Sequence, residues 1–263
     1  MSGVMQRTLA LLERLAQSVE GLPLATLADE LHIPRSATHR LLLELGEQGY
    51  VRQSRERGDY MLTTKIVSLG LNYLKRSGVV DLSQPILDRL AESAGELVRL
   101  GVVDVDHITW VSLSQGARAG LRYDPDQGID AKLSCTSSGH AWLSTLSEGD
   151  ALQLVAKQGF AKPRDYGPKA PTTPTALLKS LRLAKKRGYA VTVDTYGQGL
   201  AAVAAPISSR GRGAVGVLAI SGPSVRLNEA KMQSLVPELL MAAADIANAA
   251  SSSPLFNRAY VPA

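Results

Sequence analysis

The stretch that decides the fold of the N-terminal part runs from residue 24 to residue 62 and reads LATLADELHIPRSATHRLLLELGEQGYVRQSRERGDYML. Its first eight residues, 24–31, place apolar side chains on one face at helical spacing, which predicts a short amphipathic helix. Pro34 suits the first position of a second helix, because the missing N–H has no helical partner there. Two helices joined by a tight turn are a common way of offering a rigid helix to the DNA major groove.

The second helix begins with polar and basic residues. Ala37, Leu41 and Leu45 repeat every four residues and are expected to face inward. Arginine can bind guanine through two hydrogen bonds, and hydroxyl groups suit phosphates or base edges. We therefore predict a DNA-contacting set at the start of this helix, made of Arg35, Ser36, Thr38, His39 and Arg40.

A hairpin is predicted directly after this helix. Residues 50–52 and 60–62 have strand character, and turn residues lie between them. The hairpin would form a wing that offers Arg52, Arg55 and Arg57 to the phosphate backbone. The alternative is that these arginines are ordinary solvated charges on a loop. Helix, turn, basic helix and basic hairpin in this order favour DNA binding.

Composition narrows the class of protein. The chain has 263 residues, of which 45% are hydrophobic and 20% charged, as expected of a globular protein with a sizeable core. The net charge of +5 is compatible with nucleic acid without requiring it. A single cysteine excludes an intramolecular disulfide framework. We see no apolar run long enough for a membrane helix and no signal-peptide core, so we expect a cytoplasmic protein with no membrane partner.

The chain divides into two domains by its patterns. We predict a winged helix-turn-helix domain over residues 1–63, a linker helix over 64–78, an effector-binding domain over 79–251 and a flexible tail over 252–263. The linker helix is too apolar for one face, which suggests that it also packs on a partner subunit. The second domain alternates helices with antiparallel strands, which predicts an α+β fold. Residues 121–123 are expected to add a short strand.

The chain from about residue 5 to residue 250 resembles the IclR family of bacterial transcription regulators. The resemblance is carried by the winged-helix residues 34–42, 49–51 and 60–62, and by the segments RGYA at 187–190, AAPI at 204–207 and SGP at 221–223. It implies a regulator, such as a repressor, that binds operator DNA as a homodimer or tetramer. It also implies a GAF-like C-terminal domain that binds a small effector, often an organic or aromatic acid.

The resemblance also implies an effector site. The backbone amides of Ser137 and Ser138 fall where the family holds the effector carboxylate, in keeping with the general affinity of helix starts for anions. The chain departs from the family pattern at Thr192, Ala202 and Gly197, and we expect a roomier and less acidic pocket in consequence. The predicted effector-binding set is Leu121, Tyr123, Ala131, Ser137, Ser138, Thr192, Leu200 and Ala202.

The sequence patterns for dinucleotide binding, nucleophilic catalysis and metal binding are weaker than those for DNA binding. Residues 197–202 imitate a dinucleotide fingerprint but precede a strand rather than the required helix. Cys135 and His140 could be imagined as a nucleophile pair, although no nucleophile elbow is present. The four histidines have no metal-ligand spacing. We therefore expect no catalytic residue, no metal and no cofactor. The alternative from another class is a small-molecule enzyme with an appended DNA-binding domain.

Overall fold

A computed structural model describes residues 3–124, 130–162, 164–208 and 213–256 of the chain. The chain forms two compact units, residues 1–76 and residues 77–263. The boundary falls within the predicted linker helix. The fold is of the α+β class, as predicted, with helices in the first unit and an antiparallel sheet with helices in the second.

The first unit is a small helical domain with a two-stranded hairpin. Its elements in chain order are α1 (Val4–Ala16), α2 (Leu24–Glu30), α3 (Arg35–Glu47), β1 (Val51–Gln53), β2 (Tyr60–Leu62) and α4 (Lys65–Ser77), the last of which ends one residue past the boundary. Leucines from α1, α2 and α3 form its core together with Val51 and Tyr60. The backbone of Leu22 also bridges to Tyr60 through two hydrogen bonds of 2.9 Å, which ties the entry to α2 to the hairpin.

The packing of α3 settles which of its leucines are buried. Leu41, Leu42 and Leu45 lie in the core, whereas Leu43 is half exposed. The helix begins at Arg35, one position later than predicted, and Pro34 occupies the N-cap position. This difference leaves the exposed face of the helix as expected.

The second unit is built on a five-stranded antiparallel sheet of strand order β4-β3-β7-β6-β5. Its elements in chain order are α5 (Val79–Ala94), β3 (Leu97–Asp104), β4 (His107–Gln115), α6 (Ser137–Leu143), α7 (Glu148–Gln158), α8 (Pro174–Arg187), β5 (Ala190–Val193), β6 (Leu200–Ser208), β7 (Ala214–Pro223) and α9 (Glu229–Ala249). Asn228 caps α9 as predicted, because its side chain accepts a hydrogen bond from the amide of Lys231.

Both faces of the sheet are covered. On one face, side chains of α6, α7 and α8 share a core with Val103, Ala204 and Ala219. Residues of opposite parity on the strands, such as Val98 and Leu218, are buried as well. Helix α5 packs against β3, β4 and α9, and α9 packs on β6 and β7.

Two sequence-based expectations are wrong. Residues 121–123 form no strand, and the exposed Leu121 belongs to the connection that follows β4. The predicted tail over 252–263 starts too early, because Leu255 and Phe256 are buried. The ring of Phe256 lies beside Gly216, where an added Cβ would be 3.5 Å from its Cε1 atom. Residues 257–263 lie outside the described part of the chain.

Candidate nucleic-acid interface and ligand pocket

The turn between α2 and α3 fixes the direction of α3. His32 adopts a left-handed conformation with φ of 53°, which allows the chain to reverse within a few residues. The amide of Ile33 then donates to the carbonyl of Ala28 at 2.9 Å, and the Ile33 side chain is buried. The first turn of α3 is therefore held by local hydrogen bonds and by the core of the first unit.

Four of the five predicted side chains on α3 lie on its exposed face: Arg35, Ser36, His39 and Arg40. Thr38 does not. It is fully buried, and its hydroxyl donates to the carbonyl of Pro34 at 3.2 Å. The prediction of Thr38 as a DNA contact is wrong, because the rotation of α3 that buries Leu41 and Leu42 also turns Thr38 inward.

The hairpin holds three exposed arginines, Arg52, Arg55 and Arg57, as predicted from the sequence. Its tip is closed by hydrogen bonds from the amide of Ser54 to the carbonyl of Asp59 (2.7 Å) and from Nε2 of Gln53 to the carbonyl of Gly58 (2.7 Å). These bonds shape the loop without involving the arginine side chains, so the guanidinium groups stay accessible.

The cations of α3 are weakly paired within the chain. Arg35 lies 3.6 Å from Asp29, and Arg40 lies 3.9 Å from Glu44. All four side chains are mostly exposed, and exposed pairs of this kind contribute little free energy. Either arginine can therefore exchange its carboxylate for a phosphate or a base edge at small cost.

The second unit contains a pocket on the face of the sheet that carries α6. Thr192 on β5, Ala202 on β6 and Ser221 on β7 are register partners and form one row of its floor. Thr192 and Ser221 are buried. The small Ala202 between two hydroxyl side chains leaves space above the sheet at this point.

The start of α6 forms another wall of the pocket. Thr136 caps the helix by accepting a hydrogen bond from the amide of Gly139 at 3.0 Å, and Ser137 and Ser138 are buried against the pocket. Gly139 permits this packing, since an added Cβ would lie 2.6 Å from the Cα of Leu133. The sequence at 136–139 thus brings a capped helix start to the cavity.

The pocket has a volume of about 220 Å³ and brings together seven of the eight residues in the predicted effector-binding set. These are Tyr123, Ala131, Ser137, Ser138, Thr192, Leu200 and Ala202. Leu121 is not among the lining residues, and its side chain is exposed while its carbonyl accepts a hydrogen bond from Arg226. The prediction for Leu121 is wrong, because the chain at 121–123 does not continue as a strand that would turn this side chain inward.

Several lining residues were missed from the sequence: Arg99, Trp110, Asp124, Asp130, Thr136, Thr195, Tyr196, Ala201 and Ser221. One signal was available for Arg99. It interrupts an otherwise apolar strand over 97–103, and a charged side chain in a buried strand calls for a polar partner or a function. Trp110, Ala201 and Ser221 come together through the order of strands in the sheet, whereas Asp124, Asp130, Thr136, Thr195 and Tyr196 lie in connections or at the start of α6.

The residues that could imitate a nucleophile site are structural. Burial raises the pKa of the Cys135 thiol to about 12, which keeps it protonated and poorly nucleophilic. His140 is buried, desolvation lowers its pKa, and its Nε2 hydrogen-bonds the carbonyl of Ser134 at 2.9 Å. The glycines at 197 and 199 belong to the turn before β6, which is a strand and not the helix of a dinucleotide site.

Within the described ranges, no group of three or more His, Cys, Asp or Glu side chains is placed to hold a metal ion. The helices of those ranges also include none that is long and apolar enough to cross a bilayer.

Comparison with known proteins relates both units to one family. The family described as IclR helix-turn-helix domain matches residues 4–55, and the family described as bacterial transcriptional regulator IclR C-terminal matches residues 71–248. The chain belongs to the IclR family of transcriptional regulators. It is a DNA-binding regulator with an N-terminal helix-turn-helix domain and a C-terminal effector-binding domain, as the sequence predicted.

Individual relatives of this IclR-family chain agree with that assignment. The acetate operon repressor of Salmonella typhimurium is 30% identical over 241 residues, which are 91% of this chain and 87% of the relative. The transcriptional repressor IclR of Escherichia coli K12 is 29% identical over the same shares of the two chains. Both are named as repressors, which accords with a regulatory and not an enzymatic role.

A solved structure of an IclR homologue from Microbacterium hydrocarbonoxydans, complexed with 4-hydroxybenzoate, has the same fold. Its TM-score is 0.75 at 20% identity, and the match covers 94% of this chain and 100% of that one.

Proposed function

We propose that this regulator binds operator DNA as a homodimer or tetramer in the cytoplasm, and that an organic or aromatic acid in the pocket of the second unit changes its operator affinity. The observation that carries the proposal is the cavity of about 220 Å³, where strand residues and the start of α6 converge. Concave sites with an apolar wall and a few convergent polar groups are typical of small-molecule binding.

The polar groups of the pocket favour an acid. Ser137 and Ser138 begin α6 and line the cavity, and we propose that their backbone amides bind the effector carboxylate. Tyr123, Ala131, Leu200 and Ala202 are the proposed contacts of its apolar part. An IclR homologue was solved with the aromatic acid 4-hydroxybenzoate, which supports the same ligand class here.

Contact with DNA is proposed for the exposed arginines of α3 and of the hairpin, together with Ser36 and His39. The start of α3 would read base edges and the hairpin would bind phosphates. Arg35, Arg40, Arg52, Arg55 and Arg57 are all exposed, which supports this division of roles.

Self-association is proposed to use α4. Val67, Leu69, Leu71 and Tyr73 on this helix are each at least half exposed in the single chain. Val67 and Leu71 share one side of the helix, and Leu69 and Tyr73 share another, so exposed apolar side chains lie around much of α4. Exposed apolar surface of this extent is typical of a helix that another protein covers. The effector would then act by favouring one arrangement of the subunits, since a ligand shifts an equilibrium by its difference in affinity for the two states.

The proposal is tested by a thermal-shift screen of the purified full chain against small organic and aromatic acids. An acid that binds only the folded state raises Tm. Operator affinity is then measured by fluorescence anisotropy with and without each acid that does so. We expect one acid to raise Tm and to change the operator Kd. A broad panel of acids that leaves Tm unchanged would contradict the ligand class. An acid that raises Tm without changing operator Kd would contradict the coupling.

A further inference from the structure

The effector-binding set predicted from the sequence did not include Arg99, a positively charged residue that lines the pocket. This residue lies on β3, and its side chain faces the cavity. Its register partner on β7 is Ala219, which in turn pairs with Ala204 on β6. These alanines share the same face of the sheet, so the row of Arg99 itself offers no polar side chain on β7 or β6 that could pair with the guanidinium.

Two aromatic side chains hold the guanidinium of Arg99. Its Cζ atom lies 3.9 Å from the centroid of the Trp110 ring and 5.8 Å from the centroid of the Tyr123 ring. Contact with the ring face of Trp110 stabilises the cation without using its N–H donors, which point outward in the guanidinium plane. A side-chain hydrogen bond with Tyr123 uses one of these donors, whereas Nε has no acceptor within the described residues. The group is therefore fixed in place with donors to spare.

The position of Trp110 depends on a glycine. Gly101 on β3 is the register partner of Trp110 on β4. A Cβ added at Gly101 would lie 3.3 Å from Cζ3 of Trp110 and 3.0 Å from Cγ2 of Val217, and it would collide with Ile108. The missing side chain at 101 thus allows the indole to lie across the strand and reach Arg99.

The charge of Arg99 is poorly compensated inside the protein. Burial lowers its pKa, and the side chains that oppose this shift are Tyr123 and Tyr196 and not a carboxylate. Its Nε is buried and has no hydrogen-bond acceptor within the described part of the chain. Two carboxylates also line the pocket, Asp124 and Asp130, but both are exposed, and Asp124 pairs with Arg122 at 2.7 Å.

A desolvated cation with unused donors is costly unless an anion completes it. We propose that Arg99 joins the amides of Ser137 and Ser138 in binding the effector carboxylate through N–H···O bonds and selects for anionic ligands, the effector being a planar acid with one ring. The inference rests on the proposed function, since it requires that this pocket bind the effector. A cavity of about 150 Å³ holds benzene, so the present one has room for a single-ring acid.

Thr192 and Ser221 add hydroxyl groups to the same cavity. Their row lies two residues along the strands from the row of Arg99, a backbone spacing of about 7 Å. The cavity therefore offers hydrogen-bonding groups besides Arg99 to a polar substituent of the bound acid.

The test is a calorimetric titration of the full chain with benzoate, 4-hydroxybenzoate and the neutral analogue benzamide. Arg99→Met removes the charge at similar length, and Arg118→Met makes the same change at an exposed residue whose partner, Glu92, does not line this pocket. We expect the unaltered protein and Arg118→Met to prefer the acids over benzamide. Arg99→Met is expected to weaken acid binding by about 10- to 100-fold, the range for a charge-assisted hydrogen bond, and to lose the preference.

A structural role for Arg99 predicts different results. Because the Arg99 side chain is half-buried and partly desolvated, Arg99→Met is expected to keep or raise Tm, whereas loss of a structural side chain would lower it. Arg99→Lys keeps the charge but lacks the planar guanidinium group. Its acid affinity is expected to lie between that of the unaltered protein and that of Arg99→Met. It provides the comparison if the methionine variant folds poorly. A lower Tm in both variants, with acid preference kept, would overturn the proposal.

The remaining outcomes separate this inference from the proposed function. If Arg99→Met binds the acids as tightly as the unaltered protein does, the amides of Ser137 and Ser138 suffice and the role of Arg99 is refuted. If the unaltered protein binds benzamide as well as benzoate, Arg99 does not select for charge. If it binds neither acid but another acid of the wider screen raises Tm, the single-ring ligand class is wrong and acid binding stands. If no acid binds, both proposals fail together.

Discussion

Arg226 binds both carboxylate oxygens of Glu96, with Nε 2.7 Å from Oε1 and Nη2 2.9 Å from Oε2. Glu96 is buried just before β3, whereas Arg226 follows β7 and remains partly exposed. The second Nη of Arg226 also donates to the carbonyl of Leu121 at 2.6 Å. One guanidinium therefore joins the ends of the interior strands β3 and β7 to the connection that carries Tyr123 into the pocket.

Arg226→Ala is expected to lower Tm by several degrees, because it leaves the buried Glu96 carboxylate without its partner. The matched control is Arg118→Ala, which removes an exposed pair with Glu92 at 3.2 Å and is expected to leave Tm nearly unchanged. Differential scanning calorimetry measures both. Equal Tm values for the two variants would show that burial of Glu96 adds nothing to this ion pair.

Arg40→Ala and Thr38→Val are expected to change different properties of the protein, although the two residues lie close together on α3. The first should change operator affinity and the second stability. Arg40 is exposed, so its removal should weaken operator binding by about 1–3 kcal/mol while leaving Tm unchanged. Thr38 is buried, so the loss of its hydroxyl should cost about 1 kcal/mol of stability and leave operator affinity intact.

Fluorescence anisotropy with operator DNA and thermal unfolding of the free protein separate these two effects. Weaker operator binding by Thr38→Val at unchanged Tm would restore Thr38 to the interface. An unchanged operator affinity for Arg40→Ala would remove Arg40 from it.

The wing arginines should contribute charge and not sequence selectivity. Replacing Arg55 and Arg57 together by alanine is expected to weaken binding to operator and unrelated duplexes alike. The slope of log K against log salt should fall in magnitude by about 1.8, the value for two phosphate contacts. Titrations at several salt concentrations measure that slope. Arg164→Ala, a loss of one exposed charge from the second unit, serves as the control and should leave the slope unchanged. A slope that also stays unchanged in the double variant would exclude the wing from the phosphates.

Thr192→Ala is expected to shift the effector dose-response, since Thr192 is buried in the floor of the pocket beside Ala202. The control is Thr109→Ala, a threonine-to-alanine change at an exposed position of β4 that is not among the pocket-lining residues. Operator binding is followed while the effector found by the thermal-shift screen is titrated. Identical dose-response curves for Thr192→Ala and the unaltered protein would place the effector elsewhere in the cavity or outside it.

Local pattern was enough for most helices and strands. The cap at Asn228, the basic start of α3 and the hairpin at 51–62 are each decided by residues that are close in sequence. Hydrophobic periodicity and capping act over a few residues, so these features can be read without knowing the rest of the fold.

The errors occur where a distant element decides the environment of a side chain. Thr38 is polar and lies among DNA-contacting neighbours, yet packing of α3 on the first unit's core buries it. Leu121 is apolar but exposed, because its segment is held by Arg226 instead of pairing in the sheet. The exposure of Leu121 does not follow from its residue type or its immediate neighbours. Thr38, in contrast, shares one helical face with Leu41, Leu42 and Leu45, a spacing that the sequence does contain.

The sequence by itself determined the two domains, the exposed arginines of α3 and the wing, and seven of the residues that line the pocket, the last through resemblance to a family. Only the tertiary structure decided that Arg99 and Trp110 join Thr192, Ala202 and Ser221 around one cavity. The physical reason is the strand order β4-β3-β7-β6-β5, which places the first two strands of the domain beside the last. Pairing between strands so far apart in sequence is set by the packing of the whole domain, and no short stretch of sequence contains it.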